Sequence, residues 1–251
     1  MKKNRVLSFF LFLSFSIVAQ HQKVDKSLFK GRRYIESVFS DSSSCTIDFY
    51  KQYSSVIFNI EFQFDENEVF QPITFEDSTL FYFSKGLFSN SNLEIHPSLI
   101  EFYSRTEGLD KLMLWSVYPD TLIYDSVIDT VLLENSKVDA NPRNVAHIAL
   151  VYSWLCLKSE NKSCSEIEKY KSDYIQILKK GYNDDSILTD TEIESLLGIC
   201  FFKEQIRSKR KLRRLLIDSQ NADGGWSYNS SVLPVSNWHT TFIALWLLKS
   251  L

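Results

Sequence analysis

His147 and His239 each stand just inside the start of an apolar helical segment, and two imidazoles brought to one cavity could relay a proton or share a metal ion. Asp129 is the carboxylate that could join them. Nothing in their spacing selects a set of metal ligands, so the expectation is no metal and no cofactor. The plainer alternative is that both imidazoles are satisfied by nearby backbone. Asp125, Asp129 and Asp223, with Trp115 and Trp226, suggest a different chemistry, in which two carboxyls flank a glycosidic bond while aromatic faces stack on sugar rings. The weak catalytic candidates are therefore Asp125, Asp129, His147 and His239, and Trp115, Trp154 and Trp238 are the candidate ligand-binding aromatics. The chain has no Gly-rich phosphate loop and no Gly-x-Ser-x-Gly elbow, so nucleotide binding and elbow-type hydrolysis have no support.

The 251 residues are 44% hydrophobic and 24% charged, too apolar for disorder and too polar for a polytopic membrane protein. Residues 1–19 have the layout of a secretory signal peptide: Lys2, Lys3 and Arg5, then an apolar run from Val6 to Val18, then Ala19. That run is shorter than the roughly 20 residues that span a bilayer, so an exported protein, periplasmic or extracellular, is expected. Cleavage would take Lys+Arg from 28 to 25 against 31 Asp+Glu, a balance that argues against a nucleic-acid partner. The one dense basic run comprises Lys203, Arg207, Lys209, Arg210, Lys211, Arg213 and Arg214. It could touch a membrane surface peripherally, or it could be the solvated side of an outer helix whose leucines face inward.

Four cysteines remain, Cys45, Cys156, Cys164 and Cys200, and in an oxidising compartment they allow three pairings. Cys156 with Cys164 is the favoured couple because the two flank a short helix connection. Four buried thiols are the alternative.

Helices must position these groups, and the C-terminal half marks its own boundaries. Asn141-Pro142 opens an apolar helix from Val145 through Leu157, Ser165 with Glu168 opens one that stops at Gly181, and Thr189 with Glu192 opens a third. A fourth is predicted over Ile206–Asp218 and a fifth over Asn237–Leu251. Some are apolar all round and others on one face only, which implies an inner and an outer layer. Val145, Glu192 and His239 are spaced 47 residues apart, a helical-repeat interval. In the N-terminal half, helices are predicted over Lys26–Phe39, Asp77–Phe88, Pro97–Glu107 and Leu122–Asn135, with a β-hairpin over Phe58–Phe75. Residues 20–251 are read as one domain.

The run Leu215–Tyr228, LLIDSQNADGGWSY, followed by Trp238–Leu248, WHTTFIALWLL, resembles the Gln-Trp repeat of terpenoid cyclases and protein prenyltransferases, with Gln220, Gly224, Gly225 and Trp226 on the motif. A fainter match joins Trp115, Pro119, Asp125 and Asp129-Thr130 to the stretch where such toroids enter an inner helix. The resemblance covers about a quarter of the chain and implies a mainly α fold of stacked αα-hairpins, a partial or shortened α/α toroid with a small inserted β-hairpin. Physics accounts for the motif without catalysis: glycines allow a sharp reversal, a Gln amide bonds free backbone groups, and the indole seals the junction. The Asp-x-Asp-Asp motif of class II cyclases and the Asp-x-Cys…His zinc set of prenyltransferases are absent. The expected role is thus a divergent or non-catalytic scaffold holding an apolar or amphipathic ligand, a lipid or a peptide. An isoprenoid cyclase or prenyltransferase is the second reading, and a glycosidase or lyase on an α/α toroid the third. The length fits about five hairpins where a closed toroid has six, so a partner chain could complete the ring.

Overall fold

A computed structural model of the chain describes residues 22–40, 45–58, 82, 97–158, 164–182, 188–206, 208–228 and 235–251. Helices make up most of it: α1 over 22–40, α2 (Cys45–Phe58), α3 (Pro97–Arg105), α4 (Gly108–Val117), α5 (Ser126–Asn135), α6 (Pro142–Lys158), α7 (Cys164–Glu168), α8 (Lys171–Lys180), α9 (Asp190–Phe201), α10 (Lys209–Asp218) and α11 (Trp238–Ser250). The sheet among the described residues is a two-residue antiparallel pair, β1 (Trp226–Ser227) and β2 (Ser236–Asn237), with Trp226 opposite Asn237.

Local chemistry fixes the helix starts. Asn141 Oδ1 accepts from Arg143 N at 3.0 Å, and Thr189 and Glu192 form a reciprocal capping box. Asn237 Oδ1 accepts from Thr240 N at 3.1 Å, and Asp125 accepts from Val127 N and Ile128 N. These caps set the first turns of α6, α9, α11 and α5.

The helices form two layers. α4, α6, α9 and α11 lie side by side in that order, and α5, α8 and α10 cover them, α5 bridging α4 and α6, α8 bridging α6 and α9, and α10 lying on α11. Their sequences explain the division. Leu245, Ile148, Val151, Leu155, Leu112 and Leu114 are fully buried on the first set, each such side chain stabilising by about 1.5–3 kcal/mol. α8 buries one stripe, Tyr174, Ile177 and Leu178, and the Tyr174 hydroxyl donates to Leu132 O of α5 at 2.7 Å. α10 buries Leu212 and Leu216, while Lys209, Arg210, Lys211 and Arg214 face water, so its part of the basic run is a solvated outer face. Gly198 of α9 allows close layering, since a Cβ there would lie 3.2 Å from Ala146 Cα of α6.

The Gln-Trp turn clamps three helices. Gln220 Nε2 donates to Ser27 O at 2.9 Å and Gly224 O at 2.8 Å, while its Oε1 accepts from Ser27 Oγ at 2.8 Å. Gly224 has φ +97° and a Cβ there would meet Lys30 O at 2.5 Å, so only glycine fits. Gly225 N donates to Asp223 Oδ1 at 3.0 Å. Trp226 is 2% exposed, its indole N–H donates to Leu216 O at 2.9 Å, and its backbone N–H donates to Thr241 Oγ1 at 2.9 Å. The motif thereby ties α1, α10 and α11 together.

Several sequence expectations are corrected. The helix predicted from Ser165 to Gly181 breaks at 169–170 into α7 and α8, and Glu168 takes the Tyr152 hydroxyl and pairs with Lys171. The helix predicted from Ile206 starts at Lys209, behind Ser208 at φ 61°. Leu122–Asp125 lies outside α5 because Asp125 is its cap. Gly108, read as following a helix, opens α4 at φ +60°. Phe58, read as the first strand residue, closes α2; the rest of the predicted hairpin, the signal segment 1–19 and all of the Asp77–Phe88 helix but Tyr82 lie outside the described residues. Asp129-Thr130 falls on α5, which packs on α4 and α6. Cys156 Sγ and Cys164 Sγ, the couple favoured by spacing, lie 2.6 Å apart but are free thiols and not a disulfide, and Cys200 is half-buried, its thiol pushed up to about 11 by burial against the opposing charge of Lys209.

Candidate functional site

Spacings close to the helical-repeat interval bring polar groups together. Arg143 and Asp190 are 47 residues apart and Asp190 and His239 are 49 apart, and each occupies the first turn of one of three neighbouring helices, α6, α9 and α11. One turn on, four residues after each, come His147, Glu194 and Ile243, and seven residues after each come Leu150, Leu197 and Trp246. Residues at i, i+4 and i+7 share a helix face. The same stripe of three stacked helices therefore faces one space, polar at its first turns and apolar below.

That space is a cavity of about 130 Å³. Its walls include Tyr53, Trp154, Phe201, Phe242 and Trp246, and His147, Glu194 and His239 stand at its polar end. α2 supplies a wall that the repeat does not: Tyr50 and Tyr53 line the cavity, and Tyr53 accepts the Trp154 indole N–H at 3.0 Å. Several rings meet nearly at right angles, Tyr53 with Trp246 at 5.2 Å and 83°, Tyr50 with Phe242 at 5.1 Å and 79°.

At the polar end Arg143 bridges two buried carboxylates. Its Nη2 donates to Asp190 Oδ2 at 2.6 Å and its Nε to Glu194 Oε2 at 2.8 Å, a charge-assisted pair, and Tyr228 packs near the guanidinium. Asp190 Oδ1 accepts from Thr240 Oγ1 at 2.6 Å and lies 3.4 Å from His239 Nδ1. His239 Nε2 lies 3.8 Å from Glu194 Oε1, and His147 Nδ1 lies 2.8 Å from Arg143 O. Asp190, Glu194 and His239 each offer a ligand atom, all within 4.8 Å of one another. Arg143 already engages both carboxylates, however, and His239 turns one nitrogen to each, so the three do not converge on one cation.

The two carboxyls are driven apart in acidity. Burial opposes ionisation of Asp190, but the His239 and Thr240 hydrogen bonds with the charges of His239 and Arg143 outweigh it and hold Asp190 below its ordinary range. Glu194 is pushed above its ordinary range by burial and then by the negative charge of Asp190. Tyr50 is raised by burial, then by Glu194 and Asp190, and stays a neutral phenol. The sign for stability follows: a carboxyl raised in the folded state contributes most below its unfolded pKa and loses that contribution as pH rises through the folded value. Thermal melts of Glu194→Gln and the parent across about pH 4–7 should therefore show the variant gaining relative stability as pH rises, by at most about 1.4 kcal/mol per pH unit. A constant difference would mean that Glu194 is not raised.

The structure brings His147 and His239 to the same cavity and adds Trp154 to its wall. Trp238 lies behind it, half-buried and edge-on to Tyr50 at 4.7 Å. Trp115 is buried against Tyr124 at 5.0 Å. The carboxyls considered for glycan chemistry are dispersed: Asp125 caps α5 and pairs with Lys111 at 2.8 Å, Asp129 takes the Tyr124 hydroxyl, and Asp223 holds Gly225 N and Ser236 Oγ. Gln220, Gly224, Gly225 and Trp226 form the clamp described above. Arg143, Asp190, Glu194, Tyr50 and Tyr53 are not among the residues singled out from sequence; extending the 47-residue interval back to Arg143 would have linked it to Asp190. In comparisons with known proteins, no family model, no curated protein and no solved structure matches this chain.

Proposed function

We propose that the protein is an exported scaffold of α/α-toroid type, non-catalytic or divergent, whose aromatic cavity binds a small ligand with an apolar body and one polar end. The carrying observation is the cavity itself, six aromatic side chains closing on three titratable ones. Its volume matters, because an apolar protein cavity of about 150 Å³ takes benzene. About 130 Å³ thus suits a small ring or a short branched chain rather than a polyprenyl tail or an extended peptide. The inner row α4, α6, α9 and α11 under the covering α5, α8 and α10 supports the toroid likeness, and the clamp at Gln220–Trp226 supports the Gln-Trp reading. Among the described residues no helix is long and apolar enough to cross a membrane.

One observation favours a catalytic variant: burial and the charge of Asp190 push Glu194 up while hydrogen bonds and the charges of His239 and Arg143 hold Asp190 down, the kind of divergence between neighbouring carboxyls that separates an acid from a fixed anion. The dispersed Asp125, Asp129 and Asp223 give the glycan reading no comparable support.

Mass spectrometry of organic extracts tests the cavity. Protein purified under mild conditions should release a small molecule that is missing from a Leu197→Trp variant, in which the added ring fills the space. An empty extract from the parent, or the same molecule from both proteins, would count against it.

A further inference from the structure

We infer that the ligand's polar end is a cation, an ammonium on a short apolar body, held against the aromatic walls with Glu194 as its counter-ion. This rests on the cavity being a ligand site, and it adds the charge. At the polar end Asp190 and Glu194 share the guanidinium of Arg143, and the other groups there able to carry positive charge are the imidazoles of His147 and His239. Arg143 donates from Nη2 to Asp190 Oδ2 and the Tyr228 hydroxyl and from Nε to Glu194 Oε2, and Thr240 Oγ1 donates to Asp190 Oδ1. Glu194 Oε1 accepts no hydrogen bond among the described residues, its nearest partner being His239 Nε2 at 3.8 Å. Of the two carboxylates only Glu194 lines the cavity, so the unused acceptor belongs to the group that a ligand can reach.

The walls favour the same charge. Ring faces carry negative quadrupole potential, and a cation within about 6 Å of one gains about 0.5–2 kcal/mol, most over tryptophan and most when desolvated. Trp154 and Trp246 both line the space, and the near-perpendicular settings of Tyr50 on Phe242, Tyr53 on Trp246 and Phe242 on Trp246 present faces from several sides. No lysine or arginine is among the described lining residues. A ligand anion would add a third negative charge beside Asp190 and Glu194. A divalent metal would have to displace Arg143 from both carboxylates. The upward displacement of Glu194 by burial and by Asp190 agrees with a carboxylate one counter-ion short.

Choline and its neutral carbon isostere 3,3-dimethyl-1-butanol have the same shape and differ in charge. Titrated into the full chain at neutral pH and followed by calorimetry or by the fluorescence of Trp154 and Trp246, choline should bind at least about tenfold more tightly, equivalent to about 1.4 kcal/mol. In Glu194→Gln the ratio of the two affinities should fall toward one. The wild-type ratio needs no variant and so survives any folding defect of the substitution. Equal affinities, or preference for the alcohol, would overturn the cationic ligand while leaving the cavity as a site for neutral molecules. Selectivity that persists in Glu194→Gln would place the cation elsewhere and overturn the inference too. Binding of neither probe would overturn it, and joined to an empty organic extract would overturn the cavity reading as well.

Discussion

Replacing Trp226 with alanine is expected to destabilise the protein by about 3–5 kcal/mol, the range for emptying a buried aromatic site. The ring is 2% exposed and lies against Gly31 of α1, where even a Cβ would come within 3.0 Å of it and 2.6 Å of Leu245. Its loss would open a void at the junction of α1, α10 and α11 and leave Leu216 O without its indole donor. For a chain of this size the change corresponds to a fall in Tm of about 6–20 °C. Trp226→Phe, which keeps most of the volume and drops the hydrogen bond, should cost much less, nearer about 1–3 kcal/mol. Equal losses in the two variants would assign the stability to the hydrogen bond, and an unchanged Tm in Trp226→Ala would remove the indole from the core.

The second large effect is at Arg143. Arg143→Met leaves Asp190 and Glu194, with side chains 2% and 7% exposed, as two buried carboxylates without their cation. Breaking a fully buried pair costs about 3–5 kcal/mol. Because the Arg143 side chain is 36% exposed, water screens part of that, and about 2–4 kcal/mol is expected near neutral pH. The pH course separates this cause from lost packing. Without the guanidinium both carboxyls rise in the folded state, Asp190 from below its ordinary range and Glu194 from above it, so the penalty is greatest at high pH and fades as pH falls through the ordinary carboxylate range. Chemical denaturation at about pH 7.5 and about pH 4.5 reads it directly. A loss that is the same at both values would mean that the methylene stem of Arg143, rather than its charge, stabilises the site.

How far the sequence discloses this arrangement depends on the range of each contact. The caps at Asn141, Thr189 and Asn237 are readable because a cap is made within three residues of itself. The Gln220–Trp226 turn is readable because its glycines and indole are demanded locally, although its partner, Ser27 of α1, is 193 residues away and carries no matching signal. The convergence of His147 and His239 is readable because each stands near the start of an apolar helical segment. Asp190 and Glu194 escape notice because acidic residues in a helix's first turns are ordinary complements of its dipole. Only the packing of α6 on α9 shows that Arg143 neutralises them from 47 residues away. Tyr50 and Tyr53 escape because α2 lies outside the repeat and adjoins the alternating segment that begins at Phe58. Trp238 is one position from His239, and on a helix that step turns a side chain away from its neighbour's face, which is why His239 reaches the cavity and Trp238 stands behind Tyr50.

A crystal structure of the protein, purified without organic solvent and also soaked with choline, tests the cavity most directly. Density should lie between Trp154, Phe242 and Trp246, with its cationic end within about 4–6 Å of Glu194 Oε1. Water alone in that space in both crystals, or density seated instead on the outer face of α10, would contradict it.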